Sequence, residues 1–202
     1  MTYGYNPQLG RLYALTFALY ENVPAPQRLF YYDADEDCTN FISQCVWAGY
    51  GGWVPGFTAA AVAKNASRIR ADVRQTKGVW YGSASNIGSN RWCRVEDFYA
   101  YVTDGKKTFG PAARKLSQGG WGEIDPSSLA VGDVVQMVVA SYAPGRFGHG
   151  LYVTRPGQSW DDVLICCHTE DRLEEAMGWF AQFPEIYRTL RVLRFSDAAF
   201  ES

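Results

Sequence analysis

Histidine is scarce: two imidazoles in 202 residues leave few candidates for proton transfer near neutral pH. Cysteine is present without a pairing pattern. The five cysteines are an odd number with no C-x-x-C, which argues against a disulfide framework and a cysteine-rich zinc site, so free thiols are expected. Neither sign of charge dominates, with 19 Lys and Arg against 21 Asp and Glu and a net charge of −2. With no basic run either, there is no electrostatic basis for capturing nucleic acid or an anionic membrane. No apolar run is long enough to span a bilayer, and Met1 leads into polar residues and glycine rather than a charged n-region and an apolar core. The chain as it reads is therefore expected to be cytoplasmic. Repeats and low-complexity segments are absent as well.

Apolar residues make up 47% of the chain and aromatics 15%, enough for one well-filled core, and residues 1–202 are expected to form a single domain. The most informative stretch is Asp37 to Cys45, DCTNFISQC. Phe41, Ile42, Cys45 and Val46 make the stripe of a helix with one face in the core. Asp37, Thr39 and Asn40 offer short side chains to cap its start, and Gly49, Gly51 and Gly52 end it. A thiol in that first turn sits in the positive field of the helix terminus, which favours thiolate and places Cys38 as a nucleophile. On the helix alone, the commoner fate of a free cysteine is that of a small buried hydrophobe, and Cys45 fits that description.

Around this stretch the sequence predicts a first helix over Leu9–Tyr20, stopped by Pro24 and Pro26, and a short surface helix over Thr58–Ser67. Thr76–Trp92 reads as an irregular loop, followed by a helix over Val95–Val102. Trp53, Trp80, Trp92 and Trp121 either contact substrate or, more commonly for such residues, pin their loops to the core. Strands are expected at Val134–Val139, Leu151–Thr154, Val163–Cys167 and Thr189–Phe195, with a modest helical stripe over Glu170–Phe183. Helices first and antiparallel strands after them is an α+β order.

Cysteine hydrolases need a thiolate, an imidazole within hydrogen-bond reach and a third group to orient that imidazole. Only His149 and His168 can supply the imidazole. A zinc site on Cys166, Cys167 and His168 is disfavoured, because adjacent strand residues point to opposite faces.

The segments DCTNFISQCVWAGY, RWCRVEDFYAYV, LAVGDVVQM, FGHGLYVT and LICCHTED, in this order, closely resemble the bacterial putative amidase domain family within the NlpC-like branch of the papain-like cysteine hydrolases. The resemblance runs from the first helix to the closing strand. It implies a papain-like fold with the nucleophile helix packed on a C-terminal antiparallel sheet. It implies Cys38 as nucleophile, His149 as its imidazole partner and His168 as the residue that orients His149, without metal or cofactor. The N–H of Cys38 would form part of the oxyanion hole, and Asp37 would face the substrate's free amine or cap the helix. The implied reaction is hydrolysis of an amide, with cell-wall peptide the substrate class most associated with relatives; a peptidoglycan fragment or another amide would suit the motif. The alternative is a binding or structural module that keeps the fold without turnover.

A hairpin with a symmetric turn between Gln158 and Ser159 would pair His149 with His168, Leu151 with Cys166 and Val153 with Leu164. Both imidazoles would then share the face packed on the Cys38 helix.

Overall fold

The computed structural model describes residues 1–71, 75, 78–86 and 88–201. Residues 76, 77 and 87 of the expected loop lie outside the described residues. In chain order the elements are β1 (Thr2–Tyr3), α1 (Pro7–Phe17), α2 (Cys38–Gly49), α3 (Ala59–Ala71), α4 (Asn90–Cys93), α5 (Val95–Val102) and β2 (Ala112–Gly119). Then come β3 (Val134–Val139), β4 (Phe147–Arg155), β5 (Leu164–Cys167), β6 (Arg172–Ala176), α6 (Met177–Ala181), β7 (Tyr187–Ser196) and β8 (Ala198–Ala199). The architecture is α+β. Six antiparallel strands run in the order β2-β7-β3-β4-β5-β6, and β1 pairs separately with β8.

The first helix starts two residues earlier than its apolar pattern. Asn6 caps it by accepting from the N–H groups of Gln8 and Leu9, and Pro7 fits the first turn, where no N–H is needed. The second helix is buried on every side rather than along one stripe. Its polar residues survive there because each has a partner. Asn40 accepts from the Trp92 indole at 2.6 Å, Ser43 donates to the Trp92 carbonyl at 2.7 Å, and Gln44 accepts from Tyr13 at 2.8 Å.

The sheet is covered on both faces. Tyr13, Phe41, Ile42 and Trp47 pack with Val134, Tyr152, Cys166 and Leu193 on one side. Val135, Met137, Leu151, Ile165 and Val192 pack with Ile124, Leu129, Met177 and Phe180 on the other. Trp53, Trp80 and Trp92 are core residues, so the pinning reading holds for these three. The helical stripe over Glu170–Phe183 resolves instead into a strand, β6, followed by a short helix, α6.

The hairpin of β4 and β5 is offset by one residue from the symmetric expectation. Tyr152 pairs with Cys166 and Val153 with Ile165, and a bulge then brings Arg155 opposite Leu164. One residue of slip moves a side chain to the other face. Tyr152 and Cys166 face α2, whereas Leu151, Val153 and Ile165 face away. His149 shares the parity of Leu151 and lies 6.4 Å from the Phe180 ring on the far face. His168 stacks on Phe41 of α2 at 4.1 Å. The two histidines thus occupy opposite faces, and the expected pairing between them does not form.

Candidate active site

Cys38 is the first residue of α2 and is 8% exposed. The helix brings it to the start of β4 because Gly150 has no side chain: a Cβ there would lie 2.4 Å from Ile42 Cδ1. The sulfur is held at that junction by the N–H of Gly150 and by Thr39, whose hydroxyl lies 3.7 Å away. Burial pushes the thiol up, reinforced by the Asp37 carboxylate and opposed by the bonds from Thr39 and Gly150. The expected thiolate at the helix terminus therefore gives way to desolvation, which disfavours the charged form. The N-cap residue Asp37 makes no side-chain cap, and Cys38, as the first residue of α2, has an N–H with no acceptor inside the helix.

Asp37 neither caps the helix nor offers an oxygen to a substrate amine. It is fully buried. Its Oδ1 accepts from the Asn40 amide at 2.7 Å and from the Asp33 N–H at 3.3 Å, and its Oδ2 lies 2.5 Å from His168 Nδ1. Burial raises its pKa, while His168, Asn40 and Asp33 work in the other direction.

His168 is also buried, and both its nitrogens are committed: Nδ1 to Asp37 and Nε2 to the Phe17 carbonyl at 2.9 Å. A carbonyl only accepts, so Nε2 carries a proton. His168 can therefore neither take a proton from Cys38 at Nε2 nor orient His149. Its role in the sequence reading is replaced by a pairing with Asp37.

His149 is the opposite case. It is 6% exposed, and its Nδ1 is buried without a hydrogen-bond partner. Burial, aided by the positive charge of Arg172, lowers its pKa to about 4, so it is neutral at pH 7. No hydrogen bond joins Cys38 to either imidazole; the link between Cys38 and His149 runs through the main chain, since Gly150 bonds the sulfur and His149 precedes it.

Several neighbours of the site carry no signal in the residue pattern. Tyr142, between β3 and β4, donates to the Gly148 carbonyl at 3.1 Å and is close enough for its charge state to couple to Cys38. Thr169 accepts from the Asp37 N–H at 2.9 Å. The recess lined by Leu15, Leu19, Val23, Phe57 and Leu173 contains no ionisable side chain. Among the described residues no three His, Cys, Asp or Glu side chains are gathered to hold a metal ion, and no helix is long and apolar enough to cross a membrane.

Comparison with curated proteins and with solved structures returned no match. A family model described as a putative amidase domain matches residues 4–189, a span that takes in Cys38 and its helix, both histidines and all six strands of the main sheet as far as the first residues of β7. With that coverage, the chain belongs to the putative amidase domain family.

Proposed function

We propose that the protein is a metal-independent cysteine amidase or peptidase of papain-like, NlpC-like architecture, with Cys38 as nucleophile and His149 as its acid–base partner. The observation that carries this reading is the junction of α2 with β4. There a thiol at an uncapped helix start bonds the main chain next to an imidazole with a buried, unpartnered nitrogen. Family membership supports amide hydrolysis at its coarsest level.

In the reaction, neutral His149 takes the thiol proton as sulfur bonds to the amide carbon, while the Cys38 N–H stabilises the oxyanion. The C–N bond breaks as His149 returns the proton to the leaving amine. Water then attacks the thioester, releasing a carboxylic acid and the thiol. Since no hydrogen bond joins the thiol to His149 here, that contact is one the substrate complex must form. Peptide amides are the substrate class proposed, cell-wall peptide first among them.

A second reading, a binding module without turnover, is favoured by that missing bond and by the raised thiol pKa. Hydrolysis of a peptide–amide panel separates the two. The enzyme reading expects turnover that survives chelators and falls about four orders of magnitude or more in Cys38→Ala. Activity retained in that variant would overturn the covalent route, and no turnover of any amide by the parent protein, with Cys38 a free thiol that iodoacetamide can alkylate, would favour the binding module.

A further inference from the structure

The turn joining β5 to β6 makes more bonds than a surface connection needs. His168 holds the Asp37 carboxylate and Thr169 the Asp37 N–H. The two oxygens of Asp171 accept from the Tyr32 hydroxyl at 3.2 Å and the Tyr20 N–H at 3.1 Å. Tyr20 and Tyr32 stack at 4.1 Å, and the His168 ring is enclosed between the Tyr32 ring, 5.2 Å away, and Phe41. All these partners lie in the segment leading into Cys38 or in α2 itself.

The turn is also strained. Thr169 and Glu170 have φ of +64° and +63°, consecutive left-handed residues of the kind that two-residue hairpins usually fill with Asn-Gly. A β-branched residue there costs about 1–2 kcal/mol. Glycine would relieve that strain but could not supply the acceptor that Asp37 N–H uses.

The charge arrangement points the same way. Because Nε2 of His168 is protonated towards Phe17, one proton lies between Nδ1 and Asp37 Oδ2. On either atom it leaves the pair with zero net charge, so His168 offsets, without abolishing, the push that the Asp37 carboxylate gives the thiol.

We propose that the turn His168–Asp171 is the positioning device of the nucleophile. Thr169 and Asp171 fix the main chain entering Cys38, and His168 offsets the Asp37 charge beside its sulfur. This rests on Cys38 being the nucleophile, but not on turnover. The other groups facing the thiol are Cys167 on β5 and Tyr142 before β4, with Arg172 on β6 beside Cys167 and His149 on β4. Asp37 is the carboxylate that acts on the thiol itself, while Asp171 acts on Cys167 and Glu170 on Tyr142.

The test is the pH dependence of Cys38 alkylation by limiting iodoacetamide, read by mass mapping on the whole chain. His168→Gln strands the carboxylate and should raise the midpoint by about one pH unit or more. Asp37→Asn removes the charge and should not raise it. Thr169→Val, which keeps the β-branched shape but loses the acceptor, should slow alkylation at an unchanged midpoint. Equal midpoint shifts in His168→Gln and Asp37→Asn, or no effect of Thr169→Val, would overturn the proposal. A parent in which Cys38 resists alkylation at every pH would overturn the nucleophile reading as well, so the two failures are distinguishable.

Discussion

Proton transfer from Cys38 to His149 begins with both partners uncharged, because burial raises the thiol and lowers the imidazole. A general base must be deprotonated, so hydrolysis should switch on as pH rises through the His149 pKa of about 4 rather than near the usual 6.5. Burial is the larger cause of that shift and the Arg172 charge the smaller. Arg172→Met keeps an apolar stem beneath Trp179, over which the guanidinium now lies at 3.8 Å, and removes the charge. The acid limb of kcat/KM should then move upward while remaining below 6.5. An acid limb near 6.5 in the parent, or one that ignores Arg172→Met, would mean that the titrating base is not His149 in this environment.

The helix α2 and strand β4 meet through a glycine, and this contact sets where the thiol lies. In Gly150→Ala the new methyl would meet Ile42 Cδ1, and overpacking of this kind costs about 1–3 kcal/mol. Ile42→Val removes that terminal carbon at a cost of about 0.5–1.5 kcal/mol. Urea unfolding should find the double variant more stable than the sum of the single losses, and strict additivity would place the strain elsewhere. The α2 helix was readable because its apolar spacing is local, and so were α5 and β3, a strand buried along its whole length. The outer strands were not. β2 (AARKLSQG) and β6 (RLEEA) are polar because each lies at a sheet edge with much of its length in solvent, where β-branched alternation is not required. Cys38 and the two histidines could be singled out by chemistry, yet their partnerships depended on a bulge between Val153 and Arg155. No residue in the hairpin announces that bulge, and it separated the histidines that a symmetric turn would have joined.

At the scale of the whole molecule, a sheet buried on both faces confines His149 among apolar residues, and folding must keep it neutral. Its pKa is 6.5 when unfolded and about 4 when folded, so the sign of the linkage is fixed. Above pH 6.5 neither state is protonated at this site and the full stability is present. Between 6.5 and 4 the unfolded chain takes up a proton that the folded one refuses, and stability falls by about 1.4 kcal/mol per pH unit. Below 4 both states are protonated and the loss from this site stops, at roughly 3 kcal/mol in all. Carboxylates add their own pH dependence, so the comparison must be made against a variant without the imidazole. The unfolding free energy of the parent, measured relative to His149→Gln, should drop by about 3 kcal/mol between pH 7 and pH 4. A difference independent of pH would show that the folded protein accommodates the imidazolium. The buried, unpartnered Nδ1 would then have access to water, and the acid limb expected near pH 4 would lose its physical basis.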